Sequence, residues 1–331
     1  MLTAAIALAG AWTTWRLSAP DPNATATKTL EVLPGWGAAR IADELEATGV
    51  VRDGTVFALY LRARGFDRRI GEGLYDLAPG VSAAEVARRL VEGGRPRTSR
   101  VVVPEGLRAG EVAVRLDEAG VADADEVMGR IADPGALAPP WLPDGASLEG
   151  YLFPDTYEFH RGGDVAEALR TMVDHFAARL DDATRARLQE ADLTVHAWTT
   201  LASMVQAEAA GPTEMPIIAG VFLNRLEAGM PLQSDPTVAY GLDKRLPELS
   251  AVDGDLRVDH PWNTYTRTGL PRGPIGNPGA DALSSVLAPV RTHESGAPWL
   301  YFLHGTDGGT PVFRPNTSLP AHERDVDRYL R

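Results

Sequence analysis

The chain has 331 residues, enough for two domains or one elaborated domain with a sizeable core. It carries 32 basic and 45 acidic residues, and the net charge of −13 disfavours nucleic acid or an anionic membrane surface as the main partner. Because the sequence contains no cysteine, disulfides and thiolate metal sites are excluded, and an oxidising compartment poses no hazard to the protein.

Residues 1–15 are apolar apart from three threonines, and a polar, proline-containing segment follows at 16–28. The apolar run is shorter than the roughly 20 residues of a membrane span, and it lacks the basic start of a signal peptide. We interpret residues 1–15 as the remainder of an N-terminal membrane anchor whose first residues lie upstream, and 16–28 as a linker. A cleaved signal or a frayed terminus is the alternative.

A degenerate repeat fills residues 29–130, and each of its three units has a β-rich run, a tight turn, an amphipathic helix and a glycine stop. The units share Pro34-Gly35, Pro79-Gly80 and Glu105-Gly106 at the turn, then Ile41, Val86 and Val112, then Leu45, Leu90 and Leu116, and finally Gly49, Gly94 and Gly120. Their unequal spacing excludes a regular solenoid and predicts a small α+β module. Because no titratable cluster lies on it, we expect binding, positioning or structural support rather than chemistry.

A Pro/Gly-rich segment at 131–147 predicts a linker, so that 148–331 is expected to form a second domain. This domain opens with LEGYLFPDTYEF, in which aromatic residues alternate. Such alternation is typical of a half-buried strand, although it also suits stacking on sugar rings. Helices are predicted at about 165–180, up to Ala191, at 196–211 and at 217–226.

The predicted helix HAWTTLASMVQAEAAG, residues 196–211, carries one acidic residue on its apolar face. At about 100° per residue, Glu208 points toward the same side as Leu201 and Val205. A carboxyl group held against apolar neighbours has a raised pKa and retains a proton near neutral pH. Glu208 is therefore a candidate general acid, whereas the alternative is a surface glutamate or a buried one with a structural partner.

Loops rich in polar residues follow at 233–242 and 260–279, and the second run contains four glycines and four prolines. Ordered loops of this kind usually form rigid walls or lids. A short helix is predicted at 281–287, a buried strand at 299–303, a GTDGGT turn, and a final helix that contains His322. No nucleophile elbow, Walker loop, zinc-protease motif or dinucleotide fingerprint occurs, so neither a cofactor nor a metal is expected.

Several long segments of this sequence resemble the YceG-like, or MltG-type, endolytic murein transglycosylases of bacteria. The resemblance rests on LEGYLFPDTY, LASMVQAEAA, FLNRLEAGMPLQSDPTVAYG, NTYTRTGLPRGPIGNPG and WLYFL, and on the closing run from Phe313 to His322. In that family the helix carries two glutamates separated by one residue, of which the second, catalytic one falls on Glu208. The first is Gln206 here. Arg272 and Thr310-Pro311 are smaller departures from the family pattern.

The resemblance implies cleavage of the β-1,4 bond between N-acetylmuramic acid (MurNAc) and N-acetylglucosamine (GlcNAc) without water, leaving a 1,6-anhydroMurNAc end and limiting glycan strand elongation. Glu208 is then the general acid and base. It also implies an α+β fold in which a LysM-like, peptidoglycan-binding module at 29–130 precedes a mixed α/β catalytic domain at 148–331 with a loop-rich cleft. The expected substrate contacts are Gln233, Asp235, Thr237, Tyr240, Asn263, Tyr265, Asn277, Glu149 and Tyr151.

A single N-terminal anchor implies that the protein lies in the cytoplasmic membrane with its catalytic part outside, close to nascent glycan strands and penicillin-binding proteins. Two alternatives stay open at this point. One is a muramidase in which Asp235 or another acid activates water. The other is a glycan-binding scaffold of the cell-wall synthesis machinery in which Glu208 is structural.

Overall fold

The structure, a computed structural model, describes residues 10–330. The packing of the chain divides it into two units, the first ending at Ser99 and the second beginning at Arg100. Helices predominate, and each sheet of the described residues is a pair of strands. The predicted mixture of helices and strands is therefore present, although the LysM-like character of the first module stays a prediction.

The first unit contains two of the three repeat units. Its elements are β1 (Lys28–Val32), α1 (Ala38–Ala47), α2 (Gly54–Ala63), β2 (Gly73–Leu77) and α3 (Ala83–Glu92). Strands β1 and β2 pair antiparallel, with Lys28 opposite Leu77. The repeated apolar positions of α1 and α3, including Leu45 and Leu90, are fully buried in one core. The 3.6-residue period of the sequence thus marks the faces on which this unit packs.

The second unit begins within β3 (Thr98–Val102) and continues through α4 (Ala109–Glu118), α5 (Ala124–Ala132), β4 (Thr156–His160) and α6 (Val165–Ala177). Strand β3 pairs with β4, and Tyr157 and Phe159 of β4 point into the core. The alternating aromatic residues therefore fill a half-buried strand, and stacking on sugars is not their role at these two positions.

The division between the units differs from the linker expected at 131–147. The third repeat unit shares one hydrophobic core with residues 137–173. Leu137 of the Pro/Gly-rich segment and Leu148, the residue directly after it, both enter that core. Residues 100–130 consequently belong with the second unit rather than with a separate 29–130 module. Proline and glycine here mark a loop that packs on a core, and composition alone does not distinguish such a loop from a linker.

The remainder of the second unit is largely helical. It contains α7 (Asp182–Glu190), α8 (Val195–Glu208), α9 (Met215–Glu227), α10 (Asp235–Gly241), α11 (Ala280–Leu287), β5 (Tyr301–Asp307), β6 (Thr310–Asn316) and α12 (Leu319–Tyr329). Trp198 of α8 lies in the core and donates its indole N–H to the carbonyl of Leu283 at 2.8 Å. Gly308 and Gly309, both with positive φ, close the β5–β6 hairpin.

Two sequence predictions for this part of the chain need correction. Residues 233–242, expected as loop, contain the helix α10, and its seven residues are too few for a clear apolar period. The strand expected to be buried at 299–303 runs from Tyr301 to Asp307, and Leu303 is its one fully buried side chain.

The membrane anchor expected at residues 1–15 falls mostly outside the described residues, since residues 1–9 are not described. Within residues 10–330, none of the helices combines the length and apolar character needed to cross a bilayer.

Candidate active site

Helix α8 presents Glu208 at its carboxyl end. The helix begins where the Thr194 hydroxyl accepts the N–H of Ala197 at 3.1 Å, and its apolar residues, including Leu201 and Val205, are fully buried. Glu208 is the last helical residue and is half-buried. The helix dipole places partial negative charge at this end, and so disfavours a carboxylate there.

The surroundings of Glu208 favour its protonated form. Burial raises the pKa of Glu208 to about 7, and the nearby charge of Asp235 acts in the same direction. The Ser234 hydroxyl, which donates to Oε1 of Glu208 at 2.6 Å, opposes this rise, as do the charges of His304 and Arg225. A carboxyl group with a pKa near 7 is present in both protonation states at neutral pH, as acid and base catalysis requires.

A network of hydroxyl groups fixes Ser234 beside Glu208. The N–H of Ser234 donates to Thr264 Oγ1 at 2.9 Å, and Thr237 Oγ1 donates to the Ser234 carbonyl at 2.7 Å. The hydroxyls of Thr237 and Thr264 are themselves 2.8 Å apart. Gln233 adopts a φ of +51° and donates its N–H to the Thr264 carbonyl. The start of α10 is thus tied to the 260–279 loop, and the Ser234 hydroxyl is held in place.

Asp235 and Tyr265 form a second polar pair on the same side of the site. The Tyr265 hydroxyl donates to Oδ1 of Asp235 at 2.6 Å. Asp235 and Gln233 are exposed and Tyr265 is half-buried, so all three remain available to a ligand. Burial and the carboxylate of Asp235 raise the pKa of Tyr265, which therefore remains a hydrogen-bond donor.

The segment after α8 is held by groups that the sequence analysis did not select. Oε2 of Glu214 accepts the N–H of Ala210 at 2.9 Å and lies 2.9 Å from Nε2 of His304. Arg225 donates to the carbonyls of Leu300 and Leu232 at 2.7 and 2.8 Å. Arg225 lies in the segment FLNRLEAG and His304 in WLYFLHG, whereas Glu214 lies between α8 and α9. No spacing rule connects these three residues with Glu208.

A second buried carboxyl group, that of Glu149, lies elsewhere in the second unit. Its two oxygens accept the N–H of Ala109 at 3.0 and 3.1 Å, the hydroxyl of Tyr240 at 3.2 Å and the side-chain amide of Asn277 at 3.3 Å. Burial raises the pKa of Glu149 to about 7, against the effect of these hydrogen bonds. The side chain is 6% exposed, and its bonding is internal to the protein.

Besides Glu149, four of the expected substrate contacts are buried, and their polar atoms bond within the protein. Asn263 donates to the carbonyl of Val258 at 2.7 Å, and Asn277 accepts the N–H of Leu152 at 2.9 Å. Both asparagines therefore hold loops in place. The other two buried residues are Thr237, which bonds the Ser234 carbonyl, and Tyr151, whose hydroxyl bonds His196. Sequence alone selected them because asparagine, threonine and tyrosine suit sugar binding and loop bonding equally.

Comparison with known proteins places this geometry in a family. The sequence model of the YceG-like family matches residues 30–328. The chain belongs to the YceG-like family. An endolytic murein transglycosylase of Bacillus subtilis is 26% identical over 324 residues, covering 94% of this chain and 87% of that protein. One from Streptococcus pneumoniae is 26% identical over 340 residues, covering 94% of this chain but only 60% of its own length.

A solved structure also resembles this YceG-like chain. The crystal structure of a yceG-like protein from Listeria monocytogenes matches with a TM-score of 0.58 and 28% sequence identity. The match covers 90% of this chain and 98% of that one, so the likeness extends over both described units rather than over the Glu208 region alone.

The pH dependence of stability tests the environment of Glu149. Its pKa is about 7 in the folded protein against an ordinary 4.5, so the folded state holds a proton that the unfolded state releases. The contribution of Glu149 to the free energy of unfolding is therefore greatest at low pH and falls as the pH rises from about 4.5 to about 7. The difference of about 2.5 in pKa corresponds to about 3 kcal/mol. Because Glu208 also has a pKa of about 7 and contributes a slope of its own, we expect Glu149→Gln to lose about half of the slope between about pH 5 and about pH 8 in urea titrations.

Glu190→Gln is the matched control, because Glu190 is exposed at the end of α7. This variant should keep the full slope of the unmodified protein. A Glu149→Gln variant with the same slope as the control would show that Glu149 is ionised throughout.

Proposed function

We propose that this protein is an endolytic murein lytic transglycosylase, which cleaves the MurNAc–GlcNAc β-1,4 bond within glycan strands and leaves a 1,6-anhydroMurNAc end. The observation that carries the proposal is the half-buried carboxyl group of Glu208, with a pKa of about 7 and one oxygen held by Ser234. The names of the relatives from B. subtilis and S. pneumoniae support the same activity.

One carboxyl group suffices for both proton transfers of this reaction. Protonated Glu208 gives its proton to the glycosidic oxygen as the bond from that oxygen to C1 of MurNAc breaks. Ionised Glu208 then accepts the proton of the C6 hydroxyl while O6 forms a new bond to C1. The hydroxyl nucleophile belongs to the same sugar, so no second carboxylate has to activate water. Glu208 ends the cycle protonated, as it began.

The groups around Glu208 suit this task. Ser234 orients one carboxyl oxygen, which leaves the other free to face the glycosidic oxygen. Gln233, Asp235 and Tyr265 lie next to Ser234 and reach solvent, and they supply donors and acceptors for sugar hydroxyl and acetamido groups. We assign them to the walls of the substrate cleft.

The first unit is assigned to glycan binding. Strands β1 and β2 enclose α1 and α2 in the chain, pair antiparallel and share a core of their own, as a LysM-like module requires. We further propose that residues 1–15 belong to a single-pass anchor in the cytoplasmic membrane. The catalytic unit then acts outside that membrane beside penicillin-binding proteins, where it limits the length of nascent strands.

Replacement of Glu208 provides the direct test. We expect Glu208→Gln to reduce the cleavage of purified glycan strands by at least roughly a hundredfold, since an amide neither gives nor takes the proton. Mass spectrometry of the digest should show anhydro ends with the unmodified protein and with Glu190→Gln, a matched helix-end control. If the unmodified protein and Glu208→Gln both bind strands and neither cuts them, the protein is a glycan-binding scaffold.

Replacement of Ser234 tests how the pKa of Glu208 is set. The Ser234 hydroxyl favours the ionised form of Glu208, so Ser234→Ala should raise that pKa. Because Glu208 acts first as an acid, the basic limb of the pH profile of kcat/KM should move to higher pH. The exposed Ser284→Ala in α11 should leave that limb in place. If the basic limb stays unchanged in Ser234→Ala, that limb does not report the ionisation of Glu208.

A muramidase is the second candidate, because the charge of Asp235 acts on Glu208 and hydrolysis needs a second carboxylate. Asp235→Asn retains the oxygen that accepts the Tyr265 hydroxyl but removes the charge. For the transglycosylase we expect anhydro ends to persist, with the basic limb moved to lower pH. Reducing ends that disappear in Asp235→Asn would identify a hydrolase instead.

A further inference from the structure

A groove of about 900 Å³ lies in the second unit at the carboxyl end of α10. A hollow of about 230 Å³ adjoins it, and the two share Glu149, Tyr240 and Trp262. Sites for small ligands usually have volumes of about 300–1,000 Å³. The two proton transfers assigned to Glu208 involve none of the residues of this groove.

Resting on the proposed function, we propose that this groove is a distal saccharide subsite, which holds the N-acetylated sugars of the glycan strand and not its peptide stems. Its contacts increase the affinity for long strands over short ones, as an enzyme that cuts within strands requires.

The wall of the groove is aromatic and carries polar edges. The rings of Tyr240 and Trp262 have centroids 5.5 Å apart. The guanidinium of Arg108 lies 5.3 Å over the Tyr240 ring, and His260 stacks on Trp262 at 5.4 Å. Sugar rings combine apolar C–H faces with hydroxyl and amide groups. A wall of rings edged by N–H donors matches both kinds of surface.

The charges of the groove favour a neutral ligand. Arg108 lies 3.9 Å from Asp243, and both carboxylate oxygens of Asp255 hold the Lys244 ammonium. The basic side chains that line the groove are Arg108, Lys244 and Arg245, and the acidic ones are Glu111, Glu149, Asp243 and Glu248. Three positive charges face three ionised carboxylates and Glu149, which is partly protonated near pH 7, so no positive excess attracts the carboxylates of a stem peptide.

Glu149 fixes the groove in one shape. Its Oε2 accepts the Tyr240 hydroxyl at 3.2 Å, while the N–H of Ala109 and the side chain of Asn277 hold the carboxyl group itself. Tyr240 is thereby anchored before any ligand arrives. A wall that is already ordered loses little conformational freedom on binding, so its contacts contribute more fully to affinity.

Helix α10 connects the groove with the candidate active site. At its amino end, Ser234 bonds Glu208 and Asp235 bonds Tyr265, and at its carboxyl end Tyr240 lines the groove. A helix of seven residues is about 10 Å long. A strand of several sugars can therefore occupy both ends of α10 at once, whereas a disaccharide, itself about as long as the helix, occupies one of them.

A bulky residue at Gly110 tests the groove directly. Gly110 lines it, and a Cβ added there meets no atom within 4 Å, so Gly110→Trp introduces a bulky ring at the groove from a position that accepts a Cβ. In the Glu208→Gln background, calorimetry with peptide-free strands and with the disaccharide measures binding without cleavage. We expect Gly110→Trp to weaken the binding of long strands about tenfold and to leave the disaccharide unchanged.

The matched control is Gly129→Trp, on α5. A Cβ added at Gly129 also meets no atom within 4 Å, and Gly129 is not among the residues that line the groove. It should bind long strands as the background protein does. If Gly110→Trp does not fold, Met128→Trp enlarges an exposed side chain of the same groove and takes its place.

Two results would overturn the subsite. In one, Gly110→Trp keeps the full preference for long strands. In the other, Gly110→Trp weakens the binding only of strands that carry peptides, which identifies the stem peptide as the ligand. Cleavage by the protein with Glu208 intact is scored separately. A loss of long-strand binding in Gly110→Trp without cleavage by the unmodified protein supports the subsite and contradicts the transglycosylase.

Discussion

A buried carboxyl group needs donors for both oxygens, and Glu149 meets this requirement by joining segments that are distant in sequence. The donors come from Ala109 at the start of α4, Tyr240 of α10 and Asn277 of the loop before α11. Asn277 also donates to the carbonyl of Leu107. The loops that hold Ser234 beside Glu208 are thereby fixed to the core, so the geometry of the candidate active site depends on a residue outside it.

The two glutamates share a cause of their raised pKa and differ in what they can do. Burial raises the pKa of each to about 7. The oxygens of Glu149 are occupied by the donors of Ala109, Tyr240 and Asn277, so its carboxyl group serves to hold the protein together. Glu208 has one oxygen bonded to Ser234 and is half-buried at the end of its helix, so the residue keeps some contact with solvent. Access, and not pKa, distinguishes a candidate catalytic acid from a structural one.

Helical periodicity predicted α8 and the apolar positions of α1, α3 and α4, because a 3.6-residue period survives in the sequence wherever one face is buried. The same rule placed Glu208 on the buried side. It failed for α10, which is too short for a period, and for polar residues in loops. Asn263 and Asn277 are buried for their hydrogen bonds to backbone, and no local pattern separates such residues from ligand contacts. His304 and Glu214 meet only through tertiary structure.

Gln206 clarifies the chemistry that this helix can support. It stands where the family resemblance places a first glutamate, and its Oε1 accepts the N–H of Gly279 at 3.0 Å. Two residues along a helix differ by about 200° in direction, so Gln206 and Glu208 face different sides of α8. A glutamate at this position has an oxygen for the same bond, and glutamine performs that role without charge. Helix α8 therefore supplies one carboxyl group to the candidate site, and a second acid for hydrolysis would have to come from another segment, such as Asp235 of α10.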